Sequence, residues 1–142
     1  MAELPKALEQ WHAIIASRDV SRLNSLLADD VVLHSPVVHN PQIGKMATLP
    51  YLQAAFHVFL NDTFKYVREV VGETDSILEF IVEIDGIVVN GVDILNWDTN
   101  NQICDFKVML RPLKAVNLIY QKMGEMLAAA KLNNASADRN QH

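Results

Sequence analysis

Apolar residues in the first part of the chain recur at the three- and four-residue spacing of α-helices. This spacing predicts a first helix over residues 4–16 and a third helix from about Thr48. Between them lies a second short helix, capped by Asp19 or Ser21 and running through Leu27. The N-terminal part of the chain is therefore predicted to be mainly helical.

Strand-like alternation first occurs over residues 31–35, and it dominates the chain after Phe64. The segment 36–45 between that first strand and the third helix carries Pro and Gly and is predicted to be a loop. Four further strands are predicted, over residues 65–73, 76–85, 88–97 and 103–110. Short turns, one of them an Asp-Gly pair, join these strands into consecutive hairpins and so predict an antiparallel sheet. A last helix over residues 113–131 completes an α+β fold, with helices on one side of the sheet.

The alternation also predicts which side chains face inward. The purely apolar faces of two strands should point inward: Leu78, Phe80, Val82 and Ile84 on one, and Phe106, Val108 and Leu110 on the other. On the strand between them Gly91, Asp93, Leu95 and Trp97 share a face, but both faces of that strand are largely apolar, so the alternation leaves its facing open. The expected ligand-binding residues of the sheet are Leu78, Phe80, Val82, Leu95, Phe106, Val108 and Leu110. The opposite face still carries Ile81, Val92, Ile94 and Met109. So much outer apolar surface needs a cover, which is either the last helix or a second copy of the chain, and we expect a homodimer.

Composition narrows the class of protein. The 142 residues have a net charge of -5 and a pI near 5.4, without a cluster of Lys or Arg, which argues against nucleic-acid binding. The single cysteine, Cys104, excludes an intrachain disulfide and is expected to be a small buried residue in a strand. We expect one domain over residues 1–132, a disordered tail over 133–142, a cytoplasmic location and no association with a membrane.

Asp93 is the residue that most clearly suggests a site. It is an acid on the predicted inner face, within a stretch of β-branched and aromatic residues. A carboxyl group among apolar neighbours must stay protonated, find a partner or serve a function. Two interpretations remain open: a pocket acid, or a structural acid bonded to Trp11, Tyr51 or a backbone amide.

The order of elements over residues 8–112 resembles the nuclear transport factor 2-like superfamily, which includes SnoaL-like polyketide cyclases and ketosteroid isomerase. The stretches that carry the resemblance are SRDVSRL at 17–23 leading into LADDV at 27–31, Ser35-Pro36 with Pro41 and Gly44, and VDILNWD at 92–98 followed by Ile103. The resemblance implies a cone-shaped fold: a strongly curved sheet wrapped by helices around a deep pocket, often in a dimer.

The resemblance also assigns roles to single residues. It places the isomerase's protonated oxyanion-hole aspartate on Asp93, its companion tyrosine on Trp11 and its proton-shuttling aspartate on Ser35. Because serine cannot take a proton from carbon unaided, the isomerase mechanism lacks its base, and His39 on the loop is the candidate replacement. The position where related epoxide hydrolases carry an arginine is Gly91, so that set of residues is absent.

The remaining candidates come from the predicted loop and third helix. Tyr51 and His57 are placed to reach the mouth of the pocket, and His34 is expected to be a partly buried or interface residue that points away from Ser35. These histidines do not follow a metal-binding motif, so we expect neither a metal nor a cofactor.

Two functions follow from this set of residues. The first is an enzyme that transfers a proton on a small apolar or polycyclic carbonyl compound, as an isomerase or cyclase does, with Asp93 and Trp11 donating to an enolate oxygen. In it His39, or a water held by Ser35, moves the proton. The second is a pocket that binds a small apolar ligand without catalysis; a dimerisation module is a further alternative.

Overall fold

The computed structural model describes residues 3–139, with side chains as far as Ala130. Within this range the chain forms four α-helices, one 3-10 turn and six strands. The helices are α1 (Lys6–Ser17), α2 (Leu23–Leu26), α3 (Lys45–Phe59) and α4 (Leu113–Arg139), and the 3-10 turn Val20–Arg22 precedes α2. The strands are β1 (Leu27–His34), β2 (Gln42–Ile43), β3 (Lys65–Val71), β4 (Asp75–Ile84), β5 (Ile87–Trp97) and β6 (Ile103–Arg111).

The strands form one curved sheet in the order β2-β1-β6-β5-β4-β3, which does not close on itself. Strands β3 to β6 are consecutive antiparallel hairpins, as the turn residues predicted. β1, however, lies parallel to β6, with Leu33 opposite Phe106. The expectation of a wholly antiparallel sheet is wrong at this pair, because no hairpin joins the two strands and local turn signals cannot set their direction.

The boundaries before the sheet differ from the predicted ones in two places. β1 begins at Leu27, because α2 ends after a single turn at Leu26. The predicted loop contains β2, and α3 begins at Lys45, directly after Gly44. Gly44 has a φ of 90°, a conformation that glycine adopts without steric cost.

The core lies between the inner face of the sheet and helices α1 and α3. Leu78, Phe80, Val82 and Ile84 of β4 are all buried, which confirms the predicted inner face of this strand. Asp93, Leu95 and Trp97 of β5 are buried on the same side. Cys104 of β6 is only half-buried, since it belongs to the opposite face of its strand from Phe106 after a register shift between β5 and β6.

Helix α4 packs on the inner side of the sheet, beside α3. Its residues Ala115, Ile119 and Met123 are buried in the same core as Val82 and Val89. An ion pair of 2.8 Å joins Lys122 to Asp85 in the β4–β5 turn. The last helix therefore does not cover the outer face of the sheet, where Ile77, Val88 and Met109 remain exposed.

Helix α4 continues to Arg139, into the segment 133–142 that the sequence analysis expects to be a disordered tail. Residues 133–139 contain neither Gly nor Pro, and the boundary of the domain at residue 132 stays a prediction. The rest of that tail, residues 140–142, lies outside the described residues. Of the helices in the described range, none combines the length and the apolar character that a membrane span requires.

Candidate functional site

Asp93 lies at the centre of the inner face, on β5, with only 6% of its surface exposed. The hydroxyl of Tyr66, on β3, donates a hydrogen bond of 2.7 Å to Asp93 Oδ2. The same hydroxyl accepts a hydrogen bond of 3.0 Å from Trp11 Nε1, on α1. A chain of hydrogen bonds therefore runs from α1 through the edge strand to the buried acid.

Burial controls the protonation of this pair. Removal from water raises the pKa of Asp93 from 3.8 to about 7, and the hydrogen bond from Tyr66 opposes that rise. The pKa of Tyr66 is raised well above its ordinary value, first by burial and then by the charge of Asp93. Near neutral pH, Asp93 is consequently present in both its neutral and its ionised form, whereas Tyr66 stays protonated.

A cavity of about 50 Å³ lies against Asp93. Its other lining residues are apolar or aromatic: Trp11, Ile15, Leu52, Ala55, Phe56, Phe59, Leu60, Phe64, Phe80, Phe106 and Val108. Within the described part of the chain, Asp93 is the one ionisable side chain that lines it. Cavities that bind benzene are about 150 Å³, so a ligand of one or two rings requires the aromatic lining to move.

The cavity has an entrance between the end of α1 and the segment that joins α3 to β3. Ile15, Leu60 and Phe64 line both the cavity and an open groove of about 290 Å³ outside it. Arg18 and Asp62 stand in this groove and form an exposed ion pair of 3.4 Å. These three apolar side chains separate the cavity that contains Asp93 from the open groove.

A second cavity, of about 30 Å³, lies beside the first. The two cavities share a wall formed by Leu52, Ala55, Phe59 and Val108. The second cavity is otherwise lined by Leu33, Ser35, Pro36, Tyr51, Ile119 and Met123. Its two polar side chains, Ser35 and Tyr51, hydrogen-bond to each other through their hydroxyl groups.

Gly91 keeps β5 close to its neighbours at this point. A Cβ atom there would lie 2.5 Å from Phe80 Cζ and 2.7 Å from Leu110 Cδ2, both inside van der Waals contact. The missing side chain lets the Phe80 ring lie across β5 and line the cavity beside Asp93.

The structure brings together only part of the predicted site. Trp11, Phe80, Asp93, Phe106 and Val108 line the first cavity, and Ser35, Tyr51 and Val108 line the second. The other predicted lining residues are packed into the core without reaching either cavity: Leu78, Val82, Leu95 and Leu110.

The three histidines are not part of this site. His39 and His57 are exposed and line neither cavity, because the loop and the outer side of α3 hold them in solvent. His34 Nε2 lies 3.2 Å from Asp105 Oδ2, on the opposite face of its strand from Leu33, as its expected orientation away from Ser35 implied. His39 therefore does not occupy the position of the missing base.

Trp11 contributes to the site differently from the sequence-based expectation. Its ring lines the cavity, but its indole N–H is already donated to Tyr66 and so is not available to a ligand oxygen. Tyr66 was not among the predicted site residues, and neither was it among the proposed partners of a structural Asp93. Tyr66 lies on β3, two strands away from Asp93 on β5, and its one signal in the sequence is an aromatic ring with a polar tip in a predicted strand.

Comparison with known proteins agrees with this fold. A model of the SnoaL-like domain matches residues 8–106. No curated protein matches the chain. The structure is similar to a steroid delta-isomerase from Pseudomonas aeruginosa, with 32% identity over 92% of this chain and 99% of that chain and a TM-score of 0.85.

Two further solved structures are similar. A protein with a cystatin-like fold from Silicibacter pomeroyi has 25% identity over 93% of this chain and 89% of that chain, with a TM-score of 0.78. A protein with a ketosteroid isomerase-like fold from Catenulispora acidiphila, in complex with trimethylamine, has 14% identity over 80% of this chain and 91% of that chain, with a TM-score of 0.59. At 14% identity, the second likeness shows the fold alone. Because the domain model spans most of the sequence, the chain belongs to the SnoaL-like domain family.

Proposed function

We propose that this protein binds a small apolar molecule through a carbonyl or phenolic oxygen, which meets the neutral form of Asp93. The observation that carries this proposal is the position of Asp93: a buried carboxyl group that is the one ionisable lining of an apolar cavity in the described residues. The similarity to a steroid delta-isomerase supports a ligand of the carbonyl class. The size of the cavity favours a compound of one or two rings over a larger one.

The geometry of the hydrogen bonds supports a donor role. Tyr66 occupies Asp93 Oδ2, while Oδ1 has no hydrogen-bond partner among the described side chains. Tyr66 therefore fixes the orientation of the carboxyl group and leaves its second oxygen for a ligand. A neutral carboxyl donor in an apolar cavity stabilises negative charge that develops on a ligand oxygen, because the apolar lining screens the interaction weakly.

If the bound ligand is enolisable, Asp93 itself is the group that transfers the proton. No histidine, lysine or second carboxylate lines either cavity within the described residues. The ionised form of Asp93, populated near pH 7, then removes a proton from the carbon next to the carbonyl, and the neutral carboxyl group formed in this step donates its hydrogen bond to the enolate oxygen. The same lack of a second base favours the alternative function, which is ligand binding without catalysis.

Binding of 2-naphthol, followed by its fluorescence, tests the proposal. We expect Asp93→Ala to weaken binding by at least about tenfold, since one hydrogen bond to the ligand is lost. Asp105→Ala is the matched control, because it removes a carboxyl group from the outer face of the sheet. Equal affinity of the wild type and Asp93→Ala for 2-naphthol would rule out Asp93 as the binding group.

Deuterium exchange at the enolisable carbon of 2-tetralone separates enzyme from binder. An enzyme accelerates the exchange, and Asp93→Asn abolishes the acceleration because an amide cannot accept the proton. His39→Ala should exchange at the wild-type rate, since His39 is exposed and lines neither cavity. Tight binding of 2-tetralone without accelerated exchange would establish the non-catalytic function.

A further inference from the structure

In the second cavity, the hydroxyl groups of Ser35 and Tyr51 carry one more proton than their hydrogen-bond partners accept. Ser35 Oγ and Tyr51 Oη share one hydrogen bond, in which either can donate. Ser35 Oγ also accepts from the backbone N–H of Val37 at 3.2 Å. The two hydroxyl groups carry two protons, and only one is used between them, so one O–H has no acceptor among the described residues.

The phenol of this pair is largely buried, since Tyr51 is 6% exposed, whereas Ser35 is half-buried. Both residues line the second cavity, and Tyr51 also borders an open groove beside α3. Burial raises the pKa of Tyr51, so the phenol keeps its proton. A buried donor without an acceptor costs free energy, and a ligand oxygen that accepts its proton recovers that cost.

The sheet places this donor in line with Asp93. Asp93 of β5 is the register partner of Val108 of β6. β1 runs parallel to β6 and ends with His34 opposite Lys107, and Ser35, the residue after β1, lines the second cavity together with Val108. Val108 lines both cavities and lies between the two polar groups. Since neighbouring strands are about 4.8 Å apart, Asp93 and Ser35 are separated by roughly 10 Å across the sheet.

We propose that the two cavities form one elongated site for a ligand with two oxygens, in which Asp93 binds the first and the Ser35–Tyr51 pair donates a hydrogen bond to the second. The second oxygen is an acceptor, such as a ketone or aldehyde carbonyl, because the pair has a proton to give. The ligand class is then a flat apolar body of about two rings with oxygens at opposite ends. This inference rests on the proposed function, since it assumes that Asp93 binds the first oxygen.

The shared wall explains how one ligand could occupy both cavities. Leu52, Phe59 and Val108 separate them with flexible or rotatable side chains, and Ala55 contributes only a methyl group. Phe59 is only partly buried, so its ring is the part of this wall that we expect to rotate when a ligand joins the two spaces. The second cavity adds about 30 Å³ to the first, which is still less than the space that benzene needs, so the aromatic lining must move as well.

A pair of isosteric ligands tests the second oxygen. In 6-acetyl-2-naphthol the carbonyl oxygen lies at the far end from the hydroxyl group, and in 6-isopropenyl-2-naphthol a CH₂ group replaces that oxygen. We expect the wild type to bind the acetyl compound roughly tenfold more tightly than the isopropenyl compound, which corresponds to one buried hydrogen bond. In the double variant S35A/Y51F this preference should disappear, whereas the affinity for 2-naphthol itself should stay within about twofold.

The single variants Ser35→Ala and Tyr51→Phe guard against a folding defect, because each keeps the shape of its side chain nearly unchanged. Their thermal unfolding midpoints are measured in parallel with binding. A carbonyl preference that persists in a folded S35A/Y51F variant, or its absence in the wild type while 2-naphthol still binds, overturns the second subsite and leaves the role of Asp93 intact. Failure of all three naphthols to bind the wild type overturns the proposed function, and the elongated site with it.

Discussion

Tyr66 holds Asp93 through a hydrogen bond of 2.7 Å, although the two residues lie on strands that are not neighbours in the sheet. The bond crosses the inner face over β4, where Phe80 stacks beside Phe64 and packs edge-on against the Tyr66 ring. Because Trp11 donates to the same hydroxyl, helix α1 is tied to the acid through one oxygen atom. The protonation of Asp93 is thus coupled to the packing of α1 on the sheet.

The first prediction concerns the hydroxyl of Tyr66. Tyr66→Phe removes the hydrogen bond that lowers the pKa of Asp93, so this pKa should rise above its wild-type value of about 7. The buried N–H of Trp11 also loses its acceptor, and the free energy of unfolding should fall by about 1–3 kcal/mol. Carboxyl carbon NMR titration measures the first effect and urea unfolding the second.

Tyr120→Phe is the control for this variant, because Tyr120 is exposed on α4. It should change neither the titration of Asp93 nor the stability. If Asp93 titrates in Tyr66→Phe as it does in the wild type, the hydrogen bond from Tyr66 to Asp93 does not form in solution.

The second prediction is that Asp93 makes the free energy of unfolding decrease as the pH rises. The folded protein binds the Asp93 proton up to about pH 7, whereas the unfolded chain loses it near the ordinary pKa of 3.8. Between these values the folded state carries the extra proton, so the contribution of Asp93 to stability is lost as pH rises. The loss is about 1.4 kcal/mol per pH unit, or about 4 kcal/mol in all.

Asp93→Asn has no such group to ionise. The unfolding free energy of the variant minus that of the wild type should increase by about 3 kcal/mol between pH 5 and pH 8.5. The comparison cancels the other titrating groups, which both proteins share. A difference that stays constant over this range would mean that Asp93 is not kept from ionising.

The regular alternation of β4 predicted its inner face, and Asp93 was predicted because it is an acid within the apolar stretch of β5; the facing of β5 stayed open, since both of its faces are largely apolar. The sequence could not predict Tyr66, because β3 is an edge strand whose two faces carry similar mixtures of polar and apolar residues. A bulge between Tyr66 and Arg68 also shifts the alternation by one residue. As a result Tyr66 and Glu69 face the same side, which a strict two-residue period would place on opposite sides.

The partners of single residues were equally hidden from the sequence. The indole N–H of Trp11 is taken up by Tyr66, which lies 55 residues further along the chain. The pairing of Tyr51 with Ser35 depends on the packing of α3 over the end of β1. His39 was an acceptable base on sequence spacing alone, since nothing in a loop sequence fixes the direction of a side chain. The sequence pattern was enough to single out Asp93, whereas its hydrogen-bond partners are set by tertiary contacts.

The third prediction uses the wall between the cavities. Ala55 lines both of them, and Ala55→Leu adds three carbon atoms to the space that a ligand would fill. We expect the affinity for 2-naphthol to fall by more than about tenfold, while stability stays equal or increases because a void is filled. Gln53→Leu, at an exposed position of the same helix, should leave the affinity unchanged. Undiminished binding to Ala55→Leu would place the ligand elsewhere.

The fourth prediction concerns the outer face of the sheet, which α4 leaves uncovered. Ile77, Val88 and Met109 are exposed there, and Ile81, Val92 and Ile94 are only half-buried between them. We expect a second copy of the chain to cover this patch. The charges support that arrangement, because β4 presents Glu79 and Glu83 outward and β6 presents Lys107 and Arg111.

A two-fold axis along β5, between the two sheets, would bring β4 of each copy over β6 of the other and so pair acidic with basic side chains.

Light scattering coupled to gel filtration should give a dimer for the wild type and a monomer for Met109→Asp, which buries an unpaired charge in the patch. Met46→Asp is the control: Met46 is 94% exposed on α3, against 52% for Met109, and lies away from the sheet face. A monomeric wild type at micromolar concentration, or a dimer that survives Met109→Asp, would show that another surface is used or that the patch stays open. Because the acid lies on the inner face of the same central strand, a dimer of this form would leave the entrance between α1 and β3 accessible to ligand.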